Sequence, residues 1–301
     1  MVSATYDRVA VDPHARAANL RYVGWRVGVY AFLGVFALIY LVPLFVIVAN
    51  SFRELPEISR NGLIALPQSF SLNAWPKAWL HHCVAGTCEG IHRNFVNSLI
   101  MTIPATIVST LLGAVNGYVL SKWRFPGSET LFACITLGVF MPQQIALLPW
   151  AFILGSIGLS NSIYGLILVH IIQGISFTTL FCRNFYVNVP DDLIKAARID
   201  GAGFWRIFWK IILPISPPIL IVTVIWQFTG IWNEYLFGVV FTGGREQPVT
   251  TALVGLSTNS MNARAYDVAS CAVLIAAIPP LLIYFFGGKY FVRGLTQGAI
   301  K

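Results

Sequence analysis

Hydrophobic and polar positions along this chain fall into long blocks rather than a fine alternation. Six blocks are apolar and long enough to be helices across a bilayer: 27–49, 95–120, 131–153, 163–182, 211–241 and 268–287. Each meets or approaches the roughly 20 residues that a helix needs to cross the hydrocarbon core. The blocks 131–153 and 211–241 are each read as one span. Short polar connections separate the blocks, with one long exception at 50–93. The pattern predicts an all-α, polytopic membrane protein with six transmembrane helices.

The connection 189–214, VPDDLIKAARIDGAGFWRIFWKIILP, has a pattern of its own. Pro190 suits a first helical turn, and Asp191 and Asp192 place negative charge at a helix N-terminus. Asp200-Gly201 is a turn signal that ends this helix at Ile199. A second amphipathic stretch, Phe204 to Ile212, carries Phe204, Trp205, Phe208 and Trp209 beside Arg206 and Lys210, and Pro214 opens the next span. Two short helices at an elbow are expected, with Ala196, Ala197 and Ala202 on one part and aromatics on the other. From the residues alone, such an elbow either lies on the membrane surface, anchored by Trp and Arg, or inserts into a cleft of another protein.

Composition agrees with the block pattern. Of 301 residues, 56% are hydrophobic and 11% charged, with a mean hydropathy of +0.71; a soluble domain carries about 25% charged residues. Of the 20 Lys and Arg, only Arg53, Arg60, Lys77, Arg93, Arg245 and Arg264 fall on one side of the six-span topology. The rest share the other side, which the positive-inside rule makes cytoplasmic. Both tails, 1–26 and 291–301, and the elbow are therefore expected in the cytoplasm. The net charge of +8 follows from this bias and from anionic membrane lipid, and does not point to nucleic acid. The first apolar block follows a polar segment and exceeds the roughly 7–15 residues of a signal-peptide core, so no removable signal is expected.

The long connection contains HHCVAGTCEGIHRN, which gathers Cys83, Cys88, His81, His82 and His92. In an oxidising compartment Cys83 and Cys88 read first as a disulfide pair. The alternative, a zinc site, lacks a recognisable ligand spacing, and no metal is expected. Cys134, Cys182 and Cys271 lie in spans and read as small core residues. No Gly-x4-Gly-Lys-Ser/Thr loop, His-Glu-x-x-His or Gly-x-Ser-x-Gly motif occurs, so the chain is not read as an enzyme. Energy for work must come from a partner or an ion gradient.

Glu234 is the only carboxylate inside the six expected spans, and such a residue is functional by default. Thr223, Gln227, Gly230 and Glu234 share one helix face, flanked by Trp226 and Asn233. Hydroxyl-binding groups beside a flat ring suit a sugar. Gln143, beside Pro142, is a second candidate for the path. Three readings of the stripe stand: it lines a sugar path, it packs on a partner, or Glu234 couples protons in an ion-driven secondary transporter acting alone. Ser98, Thr102, Ala105, Ser109 and Asn116 form a small, polar face suited to close helix packing. His170 reads as a satisfied packing residue, and Pro279-Pro280 should kink the last span.

Ala196-Ala197, Gly201 and Ile211-x-Leu213-Pro214 together resemble the EAA loop of type I ABC importer permeases. Met141-Pro142 through Pro149 with Gly158-Leu159-Ser160-Asn161-Ser162, and Trp232 through Phe237, resemble the carbohydrate-uptake, maltose-transporter-like, six-span kind. The resemblance covers about 94–290 and implies one amino-terminal helix plus a five-helix core. It implies a membrane-spanning permease of a sugar importer in the bacterial plasma (inner) membrane. The cargo would be a glucose-like hexose, a hexitol or a small oligosaccharide. It implies as partners a second permease forming a heterodimer, two copies of a cytoplasmic ABC ATPase and an extracytoplasmic sugar-binding protein. No cofactor would be bound by this chain; ATP and Mg would sit on the ATPase. Asp191, Asp192, Lys195, Ala196, Ala197, Asp200, Gly201, Phe204 and Arg206 would then form the contact with that ATPase. Lys195 departs from the family pattern, which has a glutamate there; either Asp191 or Asp192 substitutes, or the second permease carries the glutamate.

Overall fold

Four of the six apolar blocks form single helices and two are broken. The computed structural model describes residues 13–81, 83, 88–258 and 265–297, and side chains within 22–288. Arg8, His82, Arg264 and Lys301 lie outside the described residues, as do the side chains of Arg16, Arg21, Lys289 and Arg293. In chain order the helices are α1 (Pro13–Asn50), α2 (Leu55–Asn61), α3 (Ala74–Pro76), α4 (His92–Lys122), α5 (Ser128–Phe140), α6 (Gln143–Ser156) and α7 (Ile163–Val187). Then come α8 (Asp191–Ile199), α9 (Phe204–Ile207), α10 (Leu213–Ile215), α11 (Pro217–Asn233), α12 (Leu236–Phe241), α13 (Val249–Thr258) and α14 (Tyr266–Gln297). Wide helical turns at Lys77–His81 and Phe208–Ile212 extend α3 and join α9 to α10. Among the described residues there is no strand.

α1, α4, α7 and α14 are each long and apolar enough to cross a membrane, and two bent pairs raise the number to as many as six. The first bent pair breaks the expected span 131–153 into two helices. α5 and α6 meet at 103°, because Met141 precedes a proline and takes extended backbone (φ −71°, ψ 124°). The second breaks 211–241. Pro214 sits inside α10, and the 79° bend falls between Ile215 and Pro217. There Pro217 and Pro218 supply no backbone N–H, and the buried Ser216 hydroxyl donates to Tyr186 Oη at 2.9 Å. The same block breaks again at Glu234, where α11 ends. By contrast α14 continues unbroken through Pro279 and Pro280. With these boundaries Glu234 is not alone: Glu129 lies in the first turn of α5 and a buried Asp267 in the first turn of α14.

The core is a seam between α4 and α7, the most extensive helix contact in the chain. Gly113 and Gly117 of α4 make it possible. A Cβ on Gly113 would lie 2.1 Å from Thr178 Oγ1, and one on Gly117 would lie 2.6 Å from the backbone nitrogen of Arg183. The small polar face expected on this helix is indeed turned inward: Ser98, Thr102, Ala105 and Ser109 are buried. Thr178 Oγ1 donates to Ser109 O across the seam at 2.8 Å, and Asn116 Nδ2 to Thr179 Oγ1 at 3.4 Å. α11 packs on α4 and α14, whereas the apolar window of α1 has none of its residues buried and touches α14. Cys182 and Cys271 are buried as expected. Cys134 is exposed, which corrects its reading as a core residue.

Outside the membrane helices, Arg53 folds the start of the long connection back on itself. Its side chain is fully buried, with Nε on Glu57 Oε1 at 2.7 Å and NH1 on Asn50 Oδ1 and Gly62 O at 2.8 and 3.1 Å. Glu57 also accepts from Ser69 Oγ and from the backbone N–H groups of Gln68 and Ser69. These bonds, led by that of Ser69 and followed by those of Gln68 and Arg53, bring its carboxyl down to about 2. Farther on, Cys83 and Cys88 form a disulfide.

Two outcomes follow. Gly117→Leu drives a side chain into backbone, an overpacking that costs about 1–3 kcal/mol or more, and should lower the melting temperature in detergent by several degrees; an unchanged melting curve would refute the seam. Because the Glu57 carboxyl is depressed, its stabilisation is complete above the usual 4.5 and is lost as pH falls through about 2. Hydrogen exchange over 53–70 should therefore stay slow from pH 7 to about 5, and Glu57→Gln should speed it at neutral pH.

Candidate functional site

A cavity of about 400 Å³ opens between α5–α6, α7 and α11. α6 contributes Gln143, Ala146 and Trp150, because the corner at Pro142 swings its first turn inward. α7 contributes His170, Gln173, Gly174 and Phe177, which share one helix face. α11 contributes Trp226, Gln227 and Gly230, and Glu234 stands at its end. Gln227 can reach the wall only because residue 174 is glycine: a Cβ there would lie 2.0 Å from Gln227 Nε2. Trp226, still 54% exposed, stacks on Phe177 with centroids 5.3 Å apart and planes 13° from parallel.

The cavity thus brings together Gln143, Trp226, Gln227, Gly230 and Glu234 from the residues expected along a path. It leaves out two. Thr223 is buried and its hydroxyl donates back to Ile219 O and Leu220 O, while Asn233 closes α11 and is exposed. Glu234 is not on a continuous helix face either. Its carboxylate accepts from the Phe237 N–H at 2.9 and 3.0 Å and from the Gly238 N–H at 3.2 Å. It therefore caps α12, supplying acceptors that lipid cannot. His170 also departs from expectation: it is buried, yet Nε2 has no hydrogen-bond partner. Sequence reading missed the α7 stripe, although the 3.6-residue periodicity that marked α11 marks His170, Gln173, Gly174 and Phe177 equally well.

At the opposite end, α8 and α9 form the elbow. Asp200 and Gly201 close α8, with Gly201 at φ +74°, and the N–H of Ala202 returns to Ala197 O at 2.9 Å. The inner face is fixed to the seam. Lys122, the last residue of α4, places Nζ 2.6 Å from both Asp191 Oδ1 and Val189 O. Arg198 lies 4.0 Å over the Trp123 ring and donates to Lys122 O at 3.3 Å. Phe204 packs on Tyr118 and Trp123, and Ile207, Phe208 and Ile212 are buried behind it. The outer face presents Ile199, Trp205 and Trp209, each more than half exposed, together with exposed Asp192, Lys195, Ala196, Asp200 and Arg206. Ala197 is buried beneath it.

Asp191 is tied to Lys122, yet its side chain stays 69% exposed. The hydrogen bond and charge of Lys122 keep its carboxyl below the usual range. Asp192, exposed and paired only with Lys195 at 3.2 Å, remains on the outer face. Nothing local in the sequence announces the Lys122–Asp191 pair, since 69 residues separate its members.

Comparison with known proteins gives one consistent result. A family described as the binding-protein-dependent transport system inner membrane component matches residues 93–297. A probable ABC transporter permease of Pyrococcus horikoshii is 46% identical over 187 residues, which is 62% of this chain and 67% of that one. A xylose/arabinose import permease of Haloferax volcanii is 32% identical over 93% of this chain and 94% of its own. In fold, the chain resembles a protein in the crystal structure of a bacterial ABC transporter involved in import of the acidic polysaccharide alginate. The TM-score is 0.76 at 20% identity, over 96% of this chain and all of that one.

Asp191→Asn should leave helix content intact and speed amide exchange across α8 severalfold. In the wild type the depressed Asp191 carboxyl keeps the tie from neutral pH down to the ordinary carboxylate range, and it is lost below that as the group protonates. Exchange equal to wild type in the variant at pH 7 would show that the tie does not hold the elbow.

Proposed function

The chain belongs to the binding-protein-dependent transport system inner membrane components, as a multi-pass permease subunit of an ABC importer, and from that premise we propose that its cargo is a sugar. The observation that carries this is the cavity wall. A half-exposed Trp226 backed by Phe177 offers an apolar plane, and Gln143, Gln173 and Gln227 offer amides around it. Sugars need both kinds of surface, a flat ring for the C–H face and hydrogen-bonding groups for the hydroxyls. The Haloferax relative, named for xylose and arabinose, supports the same class. The cargo is then a hexose, a hexitol or a small oligosaccharide.

In this reading the chain is one half of a permease heterodimer in the plasma membrane, with both tails and the elbow in the cytoplasm. The broken blocks 131–153 and 211–241 each count as one crossing, which makes six. Two copies of an ATPase, carrying the ATP and Mg, dock on the outer face of the elbow, and a binding protein delivers sugar from the other side. The elbow plays the part of the EAA loop, and its exposed Trp205, Trp209 and Ile199 support an apolar seat in a groove of the ATPase. Closure of the ATPase dimer pushes the elbow, and the seam passes the movement to the cavity. Family membership sets aside an ion-coupled transporter working alone. Glu234, with both oxygens accepting from backbone N–H groups, acts as a cap rather than a proton carrier.

Gly201 tests the coupling. Space around it is open, so a Cβ there meets no atom within 4 Å. The penalty is in the backbone, since φ +74° costs an L-residue about 1–2 kcal/mol. Gly201→Leu should still assemble with its ATPase but separate hydrolysis from uptake, lowering sugar taken up per ATP at least severalfold in liposomes. Wild-type uptake per ATP in that variant would count heavily against the elbow as the transmission.

A further inference from the structure

His170 is left without a role by everything above. It is 4% exposed, and its Nε2 is buried with no hydrogen-bond partner. Its ring meets Phe237 at 6.1 Å, an apolar contact. A neutral imidazole carries one donor and one acceptor, and leaving either dry and unpaired is a cost that Phe or Leu would avoid. Yet the residue is one of those that line the cavity, on the same face of α7 as Phe177, whose ring backs Trp226, so Nε2 lies just behind the wall.

Charge is the second observation. Among the described residues no Lys or Arg lines the cavity, and the one carboxylate there, Glu234, is committed to the backbone of α12. The other polar side chains in the wall are amides, the indoles of Trp150 and Trp226 and one hydroxyl, that of Ser176. A sugar acid entering here would bring an anion with no cation to meet it and Glu234 nearby, an arrangement disfavoured at membrane depth. An uncharged sugar brings hydroxyls alone, which the imidazole and amides can satisfy in either direction.

We propose that His170 is a specificity-determining residue of the cavity, pairing with one hydroxyl of an uncharged pyranose whose apolar face lies on Trp226, while the cation-free wall turns acidic sugars away. This rests on the sugar reading and adds to it the class of sugar and the residue that recognises it. A polar site discriminates strongly against a ligand that lacks the matching hydroxyl, because the buried group is then left unpaired.

The test uses the whole transporter in liposomes, with its binding protein, and follows uptake of radiolabelled D-glucose, D-xylose, maltose and D-glucuronate. The neutral sugar that moves fastest is then compared with its monodeoxy analogues. At least one neutral sugar should move about tenfold faster than glucuronate, and one analogue should lose about tenfold or more. In His170→Phe the ratio of parent to that analogue should collapse to within about twofold, and His170→Asn should restore part of it. General damage to the fold would slow both sugars and leave the ratio alone. If no neutral sugar moves, the sugar reading fails and this inference falls with it. If one moves but glucuronate keeps pace, or the ratio survives in His170→Phe, the inference alone is overturned. Should His170→Phe not assemble, the glucuronate comparison and the His170→Asn ratio still decide.

Discussion

The close approach of α4 to α7 is the constraint from which both ends of the molecule take their positions. Lipid gives helices no hydrophobic reason to associate, so contact must come from van der Waals fit and from polar groups that meet across the interface. Gly113 and Gly117 let the backbones come within reach, and Thr178 and Thr179 add hydrogen bonds across the gap. On α7 the same helix then presents His170, Gly174 and Phe177 to the cavity. At its other end α4 presents Lys122 to the elbow. A shift along the seam is therefore felt at both places.

The second constraint is that every bend inside the membrane frees backbone groups that only the protein can satisfy. Three bends show two solutions. At Met141–Pro142 and at Ser216–Pro217 the prolines have no N–H to leave unpaired. At Glu234 a carboxylate takes the free N–H groups of α12. That polar break is also what shapes the end of the cavity, so the residues that look most chemically active along α11 are partly there to end it cleanly. The half-buried carboxylate is a structural expense met by capping.

Much of this was legible in the sequence, and the failures have a common cause. Block hydrophobicity located the helices α1, α4, α7 and α14, and turn chemistry at Asp200-Gly201 set the limits of α8 to the residue. The elbow pattern and the EAA-like spacing led to the family. The breaks at 141 and 234 were missed because apolar residues continue across them, and hydropathy sees solubility in lipid but not direction. Trp226, Gln227 and Gly230 could be grouped because they lie on one helix; Trp150 and Phe177 could not, since other helices bring them. Long-range ties such as Lys122 to Asp191 leave no periodic trace.

The corner before Pro217 has a mechanical consequence. The arm Phe204–Ile215 lies beyond it on one side and α11 on the other, set at 79°. Two arms fixed at such a corner make a bell crank: force along one direction emerges as travel along another. At 1.5 Å per residue the two arms are about 18 and 25 Å long. With the corner held rigid, a displacement delivered to the short arm reaches the far end of the long one enlarged by about 1.4-fold, the ratio of those lengths. The far end is where Gly230 and Glu234 meet the cavity, so a small stroke at the elbow would become a larger sideways sweep of the cavity wall.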